Sequence, residues 1–445
     1  MNRDIMNCFA QKPYETVVLV LFIINVISGI LFFLVYLMQN VHLIVSIFTK
    51  HKKFPEAKKL HKFGYIISGR NEQAVIGYLL DSIFEQDYPR ELMKVFVVAD
   101  NCTDKTAEIS RNHGAIVYER FDQKHVGKSY ALDYAIQRIF ADRDNDDIEA
   151  FFIFDADNLL SKNYTRKMND VFDAGYQVST SFRDSKNFSS TITSACSSLM
   201  FYRECLIVHH SRQRLGLGTF VSGTGYYVDR KILEDLGGWH FNTFTEDIEF
   251  SCYCAKNQIQ ISYNEEAVFY DEQPNKAHTS NKQHFRWCKG THQCAALYSL
   301  PLLGMVFGFG KRSFRSRITC FEMFVHVFPF PIIATSWYLL NILINAIFLW
   351  TGLETMDSFL NVVITTSIIE AISLYGMGFI HAIVSMCKYG RKVQARLYKK
   401  ILATIIFPFY VFLLIPLSFI ALFKRNVTWE PIEHNERKSI EAMEE

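Results

Sequence analysis

An α/β body held between membrane-length apolar segments is the fold class this sequence predicts, on three observations. Short runs rich in β-branched and aromatic residues alternate with helix-like stretches between about Phe63 and Ile318. Small polar clusters follow several of those runs directly. Long stretches almost free of charge lie towards both ends of the chain, so a mean hydropathy of only +0.06 conceals a division between membrane-like and soluble parts.

The elements follow in order. Thr16 to Phe48 carries no Lys, Arg, Asp or Glu, and its first 23 residues already exceed the ~20 needed to cross a hydrocarbon core. No signal-peptide cleavage pattern follows, which predicts an uncleaved anchor over residues 1–49. In the body, residues 50–318, the runs 65–67, 95–99, 115–118 and 151–154 are expected strands. Residues 73–85, 105–113 and 127–140 are expected helices. Such alternation implies a mainly parallel sheet that binds its ligand beyond the strands' carboxyl ends. Residues 319–423 hold three more apolar runs, 325–350, 359–387 and 401–423, with Glu370 their only formal charge. Residues 424–445 form a polar tail.

Basic residues orient the chain. Six Lys fall between Lys50 and Lys62 and six Lys or Arg between Lys388 and Lys400, whereas Thr351 to Ser358 has none. A multi-pass protein of the cell membrane with a cytoplasmic body is expected. Counting crossings sends the tail outside, a placement that Lys424 and Arg425 oppose and that Pro408 and Pro416 could alter by breaking the last segment. A net charge of +2 excludes a global field for nucleic acid, and ten Cys without dense spacing do not form a disulfide framework.

Four polar clusters sit at or soon after strand ends: Ser68-Gly-Arg70-Asn71-Glu72, Asp100-Asn-Cys-Thr-Asp104, Gly127-Lys128 and Asp155-Ala-Asp157. Strand-to-helix turns of this kind suit a nucleotide, although caps and solvated turns share their composition. Two carboxylates two residues apart can offer hard oxygen ligands to Mg²⁺ or Mn²⁺. Downstream come Ser222-Gly-Thr-Gly225, Thr245-Glu246-Asp247 and Gln283-His-Phe-Arg286-Trp287. Thr245 could act simply as a helix cap with acids in the first turn, and Trp287 as an interfacial anchor. Cys252 with Cys254, Cys288 with His292, and His209-His210 lack a complete zinc-ligand spacing.

In this order, from Tyr65 to Trp287, the motifs resemble those of the inverting, membrane-embedded family 2 glycosyltransferases, a group that includes cellulose, chitin, hyaluronan and poly-N-acetylglucosamine synthases. The resemblance implies a GT-A fold and a UDP-sugar donor. It implies that Ser68, Arg70, Asn71, Glu72 and Asp100 hold the uridine, with Lys128 near the diphosphate. Asp155 and Asp157 would bind the metal and donor. Asp247, with Glu246 beside it, would supply the base, and Gln283, Arg286 and Trp287 would form the acceptor and diphosphate end. Cys102 and Gly223-Thr-Gly225 depart from the common pattern. The leading expectation is a processive synthase forming β-linkages on a growing polysaccharide. Single addition to a lipid acceptor is the alternative, and a non-catalytic nucleotide-sugar sensor the third reading.

Overall fold

The structure is a computed structural model that describes residues 3–308, 311–425, 427, 434 and 436–444, with side chains from Thr16 onward except Tyr36. The rest of the predicted tail, and the first two residues of the predicted anchor, lie outside the described residues.

Eight strands form one sheet: β1 (Phe63–Gly69), β2 (Met93–Asp100), β3 (Ile116–Arg120), β4 (Ala150–Asp155), β5 (Leu159–Leu160), β6 (Val178–Ser185), β7 (Tyr226–Asp229) and β8 (Ile261–Asp271). Their spatial order is β3-β2-β1-β4-β7-β6-β8-β5. Strands β1 to β4 are mutually parallel, β7 runs antiparallel between β4 and β6, and β6 pairs in parallel with β8. All strands except β5 and β7 therefore point the same way, and the mainly parallel expectation holds.

The strands are apolar on both faces because both faces are covered. Tyr65, Val97, Phe152 and Phe154 pack with helices Ile76–Phe84 and Tyr164–Asp173, while Ile66, Phe96, Phe151 and Ile153 pack with Lys128–Ala141 and with Phe250 of helix Glu246–Lys256. This period-2 division is what a pleated strand imposes. Register then levels the strand ends: Ser68 is paired with both Val98 and Asp155, and Ser185 with Asp271. The polar clusters accordingly gather along a single edge of the sheet.

Beyond the body, helix Ala277–Phe307 leads to helix Phe314–Val327, within which the predicted 318/319 boundary falls. Four segments are long and apolar enough to cross a membrane: Thr16–Phe48, Phe330–Trp350, Met356–Tyr389 and Leu397–Phe423. Large apolar side chains such as Phe22, Phe33, Leu343 and Ile372 are exposed on their surfaces, as a lipid-facing helix requires. Glu370 is also exposed, on helix Met356–Tyr389. The first segment is pinned to the body by a buried polar network, in which His42 Nε2 and Arg212 Nε each lie 2.6 Å from the Glu322 carboxylate.

The last segment departs from simple crossing. It breaks at Leu413 into helices Leu397–Phe412 and Leu414–Phe423. Near its start Lys399 Nζ donates to the Ser189 carbonyl (2.5 Å), and at its end Lys289 Nζ donates to the carbonyls of Ala421 (3.0 Å) and Lys424 (2.8 Å). Both ends thus rest on the same body. The described tail residues rest there too: Glu436 N donates to Glu272 (3.0 Å), Lys162 N to Glu444 (3.2 Å), and Ile440 is buried. The sequence leaves the side of the tail open, and these hydrogen bonds hold its described residues against the body. Arg425→Cys and Lys105→Cys, each introduced into a cysteine-depleted chain, should react with a membrane-impermeant maleimide from the same side of the bilayer. Labelling from opposite sides would mean that the final segment crosses.

Candidate active site

The sheet edge carries a cleft of roughly 200 Å³ whose wall includes Ser68, Arg70, Glu72, Asp100, Lys128, Asp155, Asp157, Gln283 and Arg286. Most of the predicted site residues therefore share one cavity. Asn71, Glu246, Asp247 and Trp287 stand outside its immediate wall.

The first two turns are stitched together. Asn71 adopts a left-handed backbone (φ 60°), and its side-chain oxygen accepts the Thr103 N–H (2.8 Å), while Glu72 N donates to Thr106 Oγ1 (2.8 Å). Asn71 thus shapes the turn. Cys102, where Ser is common, places its thiol against the Gly69 carbonyl. Asp104 accepts from Thr106 N (3.0 Å), in keeping with a capping role. Asp100 is paired with Arg120 (2.7 Å), a partner that sequence reading missed. Burial raises the Asp100 pKa, and Arg120 offsets part of that rise.

At the centre, Gly127 takes a φ of 143°, a conformation suited to glycine, and delivers Lys128 to the start of its helix. The ammonium of Lys128 donates to Asp155 Oδ1 and to the Gly223 carbonyl (2.6 Å). A Cβ on Gly223 would lie 3.9 Å from Asp247 Oδ2, so the candidate base is immediately beyond. Burial disfavours the charged lysine, but Asp155, Glu246 and Asp247 outweigh it and hold its pKa above the ordinary value. Burial also raises both carboxyls of the Glu246 and Asp247 pair. Glu246 is the more buried of the two, and the negative charge of Asp247 raises it further. Asp247 is half-buried, and the nearby backbone of Ile248 and Gly223, with the Lys128 charge, offsets part of its rise. Thr245 is no side-chain cap; its hydroxyl turns towards Cys294.

Asp155 and Asp157 flank the turn after β4. Thr224 Oγ1 accepts the Asp155 N–H (2.9 Å), and Asn158 reaches Asp271 at the end of β8 (2.8 Å). Asp157 is 3% exposed, and its Oδ2 accepts one long contact from Glu272 N (3.3 Å). A carboxylate this buried has its pKa raised by desolvation, the condition that a cation would relieve. Among the described residues no group of three or more His, Cys, Asp or Glu side chains is set to hold a metal. Two hard oxygens nevertheless fit Mg²⁺ or Mn²⁺ when water and diphosphate complete the shell.

Sequence reading also missed His434. From the tail it reaches the cleft, where Nδ1 sits 3.1 Å from Glu72 and Nε2 3.9 Å from Asp157. Burial opposes its charged form, but Asp157 and Glu72 push its pKa up to about 10. A histidine so far along the chain carries no local signal. His209 and His210 are occupied elsewhere, by Glu204 (3.3 Å) and Glu265 (3.1 Å).

Helix Ala277–Phe307 roofs the site. Gln283, Arg286 and Trp287 share one helical face; the first two line the cleft, while Trp287 packs its edge against Phe201 at 6.0 Å. Gly290 lets this helix touch the 245–247 turn, since a Cβ there would come within 2.5 Å of Thr245 N. Gln293 Oε1 completes the joint by accepting Phe244 N–H (2.9 Å).

The profile described as "Glycosyltransferase like family 2" matches residues 61–290. A β-monoglucosyldiacylglycerol synthase from Nostoc sp. is 26% identical over 244 residues, 51% of this chain and 48% of its own. A 4,4'-diaponeurosporenoate glycosyltransferase from Staphylococcus aureus is 44% identical over 69 residues, covering 15% of this chain and 18% of its own. The chain spans about half the length of the synthases it matches. Among solved structures, a mannosyltransferase from Pyrobaculum calidifontis in complex with GDP-Man and Mn²⁺ aligns with a TM-score of 0.58 at 15% identity, covering 89% of this chain and 98% of that one.

Gly290→Ala should force the helix off the 245–247 turn, lowering the melting temperature by the equivalent of ~1–3 kcal/mol. Transfer should fall at the same time. An unchanged melting temperature and unchanged activity would refute the close approach.

Proposed function

The chain belongs to the glycosyltransferase-like family 2, and on that premise we propose that it transfers a sugar from a UDP-sugar, with inversion, to a hydroxyl of a lipid-borne acceptor at the membrane surface. Its body has the GT-A-like α/β fold, with long apolar helices that could span a membrane. The observation that carries the reading is the Lys128 ammonium, which joins Asp155 to the Gly223 carbonyl beside Asp247. Donor-site acids and a candidate base then share one small region. The relatives named for diacylglycerol and diaponeurosporenoate favour a lipid acceptor. So does the roofing helix, against which the apolar segment Leu397–Phe423 packs through Ser280 with Tyr410 and His292 with Ser418.

In this reading the turns containing Ser68, Arg70, Asn71, Glu72 and Asp100 receive the uridine. Asp155 and Asp157 would hold Mg²⁺ or Mn²⁺, which when bound supplies charge neutralisation for the departing diphosphate. Lys128 and Arg286 add positive charge to the same wall. Asp247 takes the proton of the acceptor hydroxyl, and the freed oxygen attacks the anomeric carbon from the face opposite UDP, which departs. Such a displacement passes through a transition state with oxocarbenium character and turns an α-linked donor into a β-linked product. The protein is read as a multi-pass component of the cell membrane with its catalytic body cytoplasmic. Processive polysaccharide synthesis is the second reading, favoured by Gln283-His-Phe-Arg286-Trp287.

The test is to incubate the lipid-reconstituted protein with UDP- and GDP-sugars and Mg²⁺ or Mn²⁺, measuring nucleotide release and product size. One sugar on a lipid is expected; long product would favour the second reading, and no metal-dependent release would leave a non-catalytic sensor. Asp247→Asn should lower transfer ~10²–10⁴-fold while UDP binding persists. Residual turnover above about a tenth would remove Asp247 from the role of base. Because burial raises the Glu246/Asp247 pair, the acidic limb of the transfer profile should lie above the ~3.9 of an ordinary Asp, with activity rising as pH increases through it. A limb at or below that value would contradict the pairing.

A further inference from the structure

Arg183, on β6, belongs to none of the motifs discussed, yet it lines the cleft. Its Nε and Nη2 both donate to Asp271 Oδ2 (3.0 and 2.6 Å), and its Nη1 donates to the Ser222 carbonyl (3.2 Å). The guanidinium carbon lies 3.8 Å from the centroid of the Phe201 ring. Asp271 is itself fixed by Asn158 (2.8 Å) and by Gln273 (2.6 Å), so the arginine has a rigid anchor. Fork geometry, a spare N–H and a flat face are used together, a combination that lysine cannot reproduce.

Ser222 is gripped from a second side. Its hydroxyl faces Glu204, the first residue of a π-helical turn, Glu204–His210, and together with His209 helps to hold that carboxyl below its ordinary pKa. π-Turns are uncommon and frequent at functional sites. His209 holds Glu204 (3.3 Å) and in turn meets Thr219 Oγ1 (2.6 Å). The next residue after Ser222 is Gly223, the glycine between Lys128 and Asp247.

We propose that Arg183 is a positioning residue for the acceptor. It fixes Ser222, and through it Gly223, so that the hydroxyl of a lipid-borne acceptor is held against Asp247, while the buried Phe201 ring backs the guanidinium. This rests on the transferase reading with Asp247 as base. The donor subsite, along the turns after β1 and β2, is formed by other residues.

The test uses the full-length protein in lipid, with UDP alone as the binding probe and a UDP-sugar with diacylglycerol as the transfer probe. Arg183→Lys should lower kcat/KM for diacylglycerol roughly 10- to 100-fold, the scale of an ångström-sized misplacement. UDP affinity should be unchanged, and UDP-sugar hydrolysis should rise relative to transfer. UDP affinity falling in step with transfer would make Arg183 a donor-site residue, and unchanged transfer would leave it a structural ion pair; either result overturns the proposal. Should Arg183→Lys fail to fold, Glu204→Gln, which removes the charge facing the same serine, must reproduce the loss of coupling, and intact coupling there overturns it. The wild type controls for the premise. Absence of metal-dependent UDP release would reject the transferase reading itself, whereas wild-type transfer with an unaffected Arg183→Lys rejects the positioning role alone.

Discussion

One partly buried ammonium sets the arrangement on which the site depends. Lys128 stands at the start of a helix, supported by a glycine backbone, and faces Asp155, Glu246 and Asp247. Without a positive charge among them these carboxylates would repel one another in a poorly solvated space; with it, their combined attraction exceeds the cost of burying the lysine. The same group reaches the Gly223 carbonyl, so one side chain couples the end of β4 to the glycine loop and leaves the helix Glu246–Lys256 close behind it.

The second constraint is contact with the long apolar segments. Helix Ala277–Phe307 lies on the 245–247 turn because Gly290 has no side chain, and its opposite surface receives Leu397–Phe423. The first apolar segment is held to the body through His42, Glu322 and Arg212. Burying a charge in this way is tolerable only when it is paired on every side, and here the Glu322 carboxylate meets a partner at each oxygen. The cleft is thereby set beside the apolar segments, a geometry suited to a water-soluble donor and a lipid-borne acceptor.

Much of this was legible in the chain. The runs 65–67, 95–99, 115–118 and 151–154 became β1 to β4 with ends extended or shifted by one or two residues, since strand ends depend on neighbours and not only on local composition. The short strand β5 and the pairing of β6 to β8 had no comparable local signal. Of the site residues, Ser68, Glu72, Asp100, Lys128, Asp155 and Asp157 meet in one cleft because each follows a strand or opens a helix at the same sheet edge. Arg120, Arg183, Asp271 and His434 went unread, because an isolated Arg, Asp or His has no local pattern that distinguishes it from a surface charge.

The sequence alone determined an α/β body accompanied by long apolar segments, because hydrophobic length and periodicity act over neighbouring residues. It also determined the order of the polar turns, since each follows its own strand. Only the tertiary structure decided that Lys128 lies between acids from separate elements, that Leu397–Phe423 has both ends on the body, and that His434 returns to the cleft. Those outcomes depend on contacts between residues up to several hundred positions apart, which packing creates and no local pattern records.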